Sequence, residues 1–115
     1  MKSWSNWLKL TRENIIDNVP KKEKGVYAIR ITKVKNEKSD IIYIGCGKKN
    51  GRLRTRLLAI ARGRNHCAAS EINQFKNRGL EFSWFATSVP DGVEKALFIA
   101  FWISTGQRPK CNKSF

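Results

Sequence analysis

Two tyrosines that stand next to glycines are the residues best suited to chemistry. Tyr27 ends the tripeptide GVY of residues 25–27, and Tyr43 opens the tripeptide YIG of residues 43–45. A phenol is a poor base at neutral pH, because its ordinary pKa is about 10, unless nearby cations lower that value. Arg56 follows both tripeptides, and its guanidinium can hold phosphate oxygens at two points. Without the glycines, each tyrosine would be interpreted as a packing residue of a strand.

Glu94 is the acid that the sequence favours as a ligand for a divalent cation. The chain contains nine Asp and Glu residues, and Glu94 stands at the start of an apolar segment. A hard oxygen ligand suits Mg²⁺, which fills its remaining positions with water and substrate phosphate. The alternative is a first-turn Glu that interacts only with the helix dipole.

The overall charge of the chain predicts a polyanionic partner. Lys and Arg number 23 against nine acids, for a net charge of +14. Cations that replace condensed counterions on nucleic acid gain a large, salt-dependent affinity, whereas binding to a membrane surface needs a basic face opposite a broad apolar one. We therefore expect nucleic acid and no membrane. General phosphate contacts, or simple solvation, are expected for Lys48, Lys49, Arg52, Arg54, Arg62 and Arg64.

The hydrophobic pattern predicts an α+β fold in which a small three-stranded antiparallel sheet is flanked by helices. Residues rich in β-branched and aromatic side chains predict strands at 25–32, 41–45 and 80–88, with a hairpin loop at 33–40. Apolar residues at helical spacing predict helices from Thr11 to 19, at 52–62, at 67–78 and at 92–105. The last of these carries a wide apolar stripe, formed by Leu97, Phe98, Phe101 and Trp102.

The length of the chain, 115 residues, is typical of one domain. We expect residues 1–19 to form an arm and short helix that pack on a catalytic domain of residues 20–115. Cys46, Cys67 and Cys111 are odd in number and form no C-x-x-C pair, which favours free thiols in a reducing cytosol over disulfides or structural zinc. The longest apolar run, residues 96–103, is too short to cross a bilayer, so a soluble cytoplasmic protein is expected.

The order of these features resembles the GIY-YIG nuclease family. The GVY tripeptide matches the first half of the family motif with Val in place of Ile, and YIG matches the second half unchanged. Family members continue with a helix that carries an Arg, a later helix that carries a Glu and a closing Pro-x-x-Asn. In this chain Arg56, Glu94 and residues 109–112 follow in that order, and the resemblance covers residues 20–112.

This resemblance implies an endonuclease that hydrolyses DNA with one bound Mg²⁺ or Mn²⁺. It implies that Tyr27 positions or deprotonates the attacking water, that Glu94 binds the metal and that Asn112 ties the end of the chain to the site. Family members often have a histidine near the position of His66, although a surface histidine at a helix start is an equal alternative. The implied catalytic residues are Tyr27, Tyr43, Arg56, His66, Glu94 and Asn112.

The spacing of the last motif leaves alternatives open. Glu94 lies 18 residues before Asn112, a longer interval than in many members, and a shorter alignment places Ala100 at the position of the acid. The Ala100 alignment would make the chain an inactive nucleic-acid-binding module with the same fold. A further alternative is a ribonucleoprotein component in which Trp84 and Phe85 stack on RNA bases. The DNA target and the oligomeric state stay open.

Overall fold

An antiparallel sheet of four strands, in the order β1-β4-β2-β3, forms the centre of the computed structural model, which describes residues 4–34, 39–64 and 66–112. The α+β fold is therefore confirmed, with one more strand than predicted. The elements in chain order are β1 (Leu8–Lys9), α1 (Arg12–Asn18), β2 (Gly25–Ile31), β3 (Ile41–Gly47), α2 (Arg52–Arg62), α3 (Ala69–Asn73), a 3-10 turn (Lys76–Arg78), β4 (Leu80–Ala86) and α4 (Pro90–Thr105).

The central strand β2 brings the two tyrosines onto one face of the sheet. Tyr27 lies opposite Gly45 of β3 and Trp84 of β4, and Tyr43 lies opposite Ile29. Directly paired residues of an antiparallel sheet point to the same face. The hairpin predicted between the first two long strands is confirmed in its antiparallel pairing, although residues 35–38 of its loop lie outside the described part of the chain.

The face that carries the tyrosines is covered by α1, α2 and α3. Leu53, Leu57 and Ile60 of α2 are fully buried against it, as their helical spacing predicted. Ile15 of α1 is also fully buried, and the Thr11 hydroxyl caps α1 by accepting a hydrogen bond from the backbone N–H of Asn14. These side chains form the main core cluster.

The opposite face of the sheet is covered by α4. Val26, Ile44 and Cys46 are buried but stand apart from the main core cluster, as strand alternation requires of residues on the other face. Phe98 is the large side chain of α4 that is buried. Trp102, which belongs to the apolar stripe of this helix, is 49% exposed.

Two segments differ from their predicted form. The helix predicted at 67–78 is instead α3 followed by the 3-10 turn, which Gly79 ends in the left-handed region with φ +74°. The predicted N-terminal arm supplies β1, since Leu8 and Lys9 pair with Phe82 and Glu81 of β4. Among the described residues, no helix combines the length and apolarity needed to cross a membrane.

Candidate active site

Tyr27 and His66 are joined by a hydrogen bond of defined direction. The Tyr27 Oη lies 3.1 Å from the His66 Nε2. The backbone N–H of Ala68 donates to the His66 Nδ1 at 3.0 Å, so Nδ1 is an acceptor and the neutral ring carries its proton on Nε2. The pKa of His66 is lowered by burial and by Arg56, which keeps the ring neutral. His66 therefore donates its Nε2 proton to the Tyr27 hydroxyl oxygen.

Gly45 makes room for the Tyr27 phenol. It lies directly across from Tyr27, and a Cβ added at position 45 would stand 2.6 Å from the Tyr27 Oη. The space is filled by aromatic rings, because the Tyr43 ring lies 6.0 Å from the Tyr27 ring and meets the His66 ring edge-on at 5.6 Å. Position 45 must therefore be glycine if the Tyr27 side chain is to have space.

Both phenols are protonated in the free protein. Burial raises the pKa of Tyr27 well above its ordinary value, with a further contribution from Tyr43. The pKa of Tyr43 is raised by burial and then by the neighbouring Cys67 and Glu94. Arg56 acts in the opposite direction on both groups. A phenolate at this site thus depends on additional positive charge.

Arg56 stands where two cationic clefts meet. A cleft of about 440 Å³ is lined by Lys48, Lys49, Arg52 and Arg56, and a second cleft of about 310 Å³ is lined by Arg52, Arg56, His66, Cys67, Thr55 and Ala59. The Arg56 Nε is buried and has no hydrogen-bond partner among the described residues. Arg56 lines both clefts, so its guanidinium can donate to an anion held there. The charge of the lining suits phosphate.

Glu94 approaches the same region from the other face of the sheet. Its half-buried carboxylate accepts a hydrogen bond from the thiol of Cys46, a residue of the edge strand β3. Burial raises the pKa of Glu94, while the Cys46 contact and Lys48 oppose that rise. Burial also raises the pKa of Cys46 to about 11, so the thiol keeps its proton and remains a donor. Ala100 is exposed on the outer side of α4. Position 100, where the shorter alignment places the acid, therefore faces away from the site.

The donor set suits a cation that keeps most of its water. Within the described ranges, no three His, Cys, Asp or Glu side chains gather into a metal-binding group. Asp91 stands one turn before Glu94 but pairs with Lys48 at 3.4 Å. A lone carboxylate beside a cationic cleft fits Mg²⁺, which binds through one or two carboxylates, waters and substrate phosphate. It does not fit structural zinc, which needs four protein ligands.

Asn112 closes the free edge of the strand that carries Tyr43. Its side-chain amide donates to the Ile44 carbonyl at 2.9 Å and accepts from the Ile44 N–H at 3.0 Å. One residue earlier, the Cys111 N–H donates to the Ile42 carbonyl at 2.8 Å. Asn112 therefore satisfies the backbone N–H and carbonyl of Ile44, the residue between Tyr43 and Gly45. It supports the site by holding β3, the strand that carries Tyr43.

The basic residues predicted to contact phosphate separate into two groups. Lys48, Lys49 and Arg52 line the clefts. Arg54 points elsewhere, because its guanidinium donates to the Ile16 carbonyl at 2.8 Å and ties α2 to α1. Arg62 and Arg64 line neither of these two clefts, because Arg62 is the last residue of α2 and Arg64 lies beyond it.

The aromatic residues considered for RNA stacking are engaged inside the protein. Trp84 packs against the main core cluster, and the Phe85 ring lies 5.9 Å from the Trp4 ring. Both side chains are partly buried. Two residues that the motifs did not single out, Cys46 and Cys67, do reach the site, the first through Glu94 and the second in the lining of the smaller cleft.

No protein-family model matches the chain, and it matches no curated protein and no solved structure.

Proposed function

We propose that the protein is a metal-dependent endonuclease of the GIY-YIG type that hydrolyses phosphodiester bonds in DNA. One observation carries this proposal. Tyr27, Tyr43, Arg56, His66 and Glu94 come from separate elements and are brought together at one end of the sheet, beside cationic clefts. These are residues that the family resemblance implied from the sequence.

The clefts at Arg52 and Arg56 hold the DNA backbone. Lys48 and Lys49 extend the positive charge along one side, and the guanidinium of Arg56, which lines both clefts, donates to a phosphoryl oxygen. Positive charge fixed before the reaction stabilises the charge that develops on the phosphoryl oxygens. Contacts of this kind do not read base sequence, so binding is largely independent of sequence.

Tyr27 accepts the proton of the attacking water. The Tyr27 hydroxyl first loses its proton to solvent. The water oxygen then forms the new bond to phosphorus, the bond to the leaving oxygen breaks, the proton of the attacking water passes to the Tyr27 phenolate, and the leaving oxygen takes a proton from solvent water. His66 continues to donate its Nε2 proton to the Tyr27 Oη, so one hydrogen bond to the phenolate is present before the reaction begins. Arg56 favours the phenolate by its charge.

Glu94 is the residue that would hold the metal. When bound there, Mg²⁺ or Mn²⁺ supplies neutralisation of negative charge on the phosphoryl and leaving oxygens. The Cys46 thiol holds the carboxylate of Glu94 from the α4 side of the sheet. Tyr43 packs against both the Tyr27 ring and the His66 ring and keeps them in place.

The proposal is tested by nicking of supercoiled plasmid DNA with Mg²⁺ or Mn²⁺, and with EDTA as the metal-free arm. We expect nicking that EDTA abolishes and that Tyr27→Phe lowers at least a hundredfold, since a positioned acid or base contributes about 10²–10⁴-fold. Tyr27→Phe keeps the buried ring and serves as its own packing control. Absence of cleavage, with salt-sensitive DNA binding intact, would instead favour the inactive binding module.

A further inference from the structure

The segment that carries His66 connects the end of α2 to the start of α3. At the first end, the Gly63 N–H donates to the Ile60 carbonyl at 3.0 Å, and Gly63 ends the helix in the left-handed region with φ +77°. At the second end, the Ala69 N–H donates to the His66 carbonyl at 3.2 Å. Each of these two bonds joins residues of the same end, so neither of them links α2 to α3.

Asn73 supplies a link between the two helices. Its side-chain Nδ2 donates to the Ile60 carbonyl in the last turn of α2 at 3.1 Å, and to the Ala69 carbonyl in the first turn of α3 at 2.8 Å. The two hydrogens of one amide are therefore divided between the two helices. A Cβ added at Gly63 would stand 3.4 Å from the same Nδ2, so the amide also lies against the glycine that follows α2. Asn73 thus holds both ends of the segment that carries His66.

The position of this segment decides where the His66 ring lies. The His66 Nε2 is 3.1 Å from the Tyr27 Oη, which is near the long end of the ordinary range for such a bond, so a small displacement weakens it. Tyr27 is fully buried in β2 and is held independently of the segment. A shift of α3 away from α2 would therefore move the His66 ring relative to Tyr27, and also relative to Arg56 of α2.

We propose that Asn73 is a positioning residue of the candidate site, which sets the distance between the His66 Nε2 and the Tyr27 Oη by joining the end of α2 to the start of α3. Asn73 acts through His66, because its amide bonds the backbone of the two helices and its side chain lines neither cationic cleft. The effect of Asn73 on cleavage rests on the proposed function, whereas its effect on the hydrogen bond between His66 and Tyr27 does not.

Nuclear magnetic resonance of the whole chain tests this inference directly. His66 is the only histidine, so its ring N–H is identified in ¹H–¹⁵N spectra without interference from another imidazole. That proton gives a sharp resonance only while a hydrogen bond protects it from exchange with water. We expect a protected Nε2 proton in the wild type, and Asn73→Ala should speed its exchange by about tenfold or more, because the segment then opens locally.

A second variant separates the link to α2 from the bond within α3. Asn73→Ser keeps a hydroxyl that can donate to the Ala69 carbonyl four residues earlier, but its short side chain does not reach Ile60. It should therefore lose protection of the His66 proton as Asn73→Ala does, and it tests the link even if the alanine variant unfolds. The matched control is Asn14→Ala, which removes an amide that donates to the Lys9 carbonyl at 2.9 Å and should leave the proton protected.

Cleavage of DNA gives an independent readout. Asn73→Ala should lower the single-turnover nicking rate by about tenfold, while DNA affinity in EDTA stays unchanged, since the lost interaction is with the phenolate and not with the DNA. His66→Ala removes the group that Asn73 positions. Adding Asn73→Ala to His66→Ala should therefore cause no further loss of rate.

Three results would overturn the inference. The first is a His66 proton that stays as protected in Asn73→Ala or Asn73→Ser as in the wild type. The second is equal loss of protection in Asn14→Ala, which would make the effect one of general stability. The third is an additive loss of rate in the double variant. Because the resonance does not depend on cleavage, a proton that Asn73 protects in a protein that does not nick DNA would count against the proposed function alone.

Discussion

The two faces of the sheet are covered in different ways. On the face of Tyr27, three helices bury a continuous cluster that includes Ile15, Leu57 and Phe82. On the other face, α4 buries Phe98 while Ile99 and neighbouring side chains of its outer side stay exposed. The candidate site lies where the two faces meet, at the edge strand β3. The two faces therefore have different roles in the proposed site. The well-packed face holds the two tyrosines in place, and the thinly covered face carries the carboxylate of Glu94.

The contrast in packing predicts the largest difference in stability. Leu57→Ala should lower the free energy of unfolding by about 2–5 kcal/mol, because it leaves a cavity in a fully buried cluster. Ile103→Ala, at a mostly exposed position of α4, should change it by less than about 0.5 kcal/mol. Urea unfolding followed by circular dichroism, at a concentration where the chain is monomeric, measures both. Equal losses would remove the distinction between the faces.

Arg56→Ala should reduce cleavage strongly while leaving the fold intact. We expect a loss of about 10²–10³ in the cleavage rate, the range found when one charge-stabilising donor is removed. Arg54→Ala is the matched control on the same helix, because that guanidinium binds the Ile16 carbonyl and lies outside both clefts. Arg54→Ala should lower stability more than activity. The reverse pattern would mean that the two arginines have been assigned to the wrong surfaces.

Asn112→Ala tests whether the closing motif acts through β3. The change removes both partners of the Ile44 backbone and should cost about 2 kcal/mol in the free energy of unfolding. Asn112→Asp retains an acceptor for the Ile44 N–H but loses the donor to its carbonyl, so it should be intermediate. Thermal unfolding gives the order. A variant that keeps full stability and loses cleavage would move Asn112 into direct contact with substrate.

The pH dependence of cleavage follows from the raised pKa of Tyr27. The reactive form is the phenolate, so the rate should rise with pH, by about tenfold per unit below the pKa that applies with DNA and metal bound. Acidification also protonates His66, whose Nδ1 then loses its ability to accept from Ala68. Single-turnover nicking between pH 6 and pH 9, measured in one buffer series at about constant ionic strength, gives the slope. A rate that falls as the pH rises would contradict the role of Tyr27.

The smallest expected effect concerns Cys46. Cys46→Ser keeps a hydrogen-bond donor to Glu94, whereas Cys46→Ala removes it. We expect Cys46→Ala to raise the Mn²⁺ concentration needed for half-maximal nicking by a few fold, on the scale of about 1 kcal/mol for one hydrogen bond. Cys46→Ser should restore most of the loss. Equal metal dependence in both variants would show that the thiol only fills space.

The sequence predicted best those helices and strands whose apolar residues repeat with a clear period. The helix at Arg52–Arg62 agrees with its prediction, since its apolar residues repeat at helical spacing and Gly63 ends it. The two-residue strand Leu8–Lys9 has no such pattern, because it forms only where β4 offers a free edge. The helix predicted at 67–78 is interrupted, although its composition is helical throughout.

The sequence predicted only those contacts of the candidate site that are formed within the motifs. Tyr27 and Gly45 could be paired in advance because a hairpin brings GVY opposite YIG. Arg54 and Arg56 could not be told apart, since their surroundings depend on where α1 lies against α2. The contact between Cys46 and Glu94 joins residues 48 positions apart across the edge of the sheet, and no local pattern reports it.

The most direct test of the proposed nuclease compares Glu94→Ala with Glu13→Ala in metal-dependent nicking and in DNA binding. Glu13 is an exposed acid of α1, so its removal changes the net charge by the same amount. We predict that Glu94→Ala abolishes Mn²⁺-dependent nicking while DNA binding in EDTA is unchanged, and that Glu13→Ala behaves as the wild type. Nicking at the wild-type rate by Glu94→Ala would contradict the assignment of Glu94 and of the metal site.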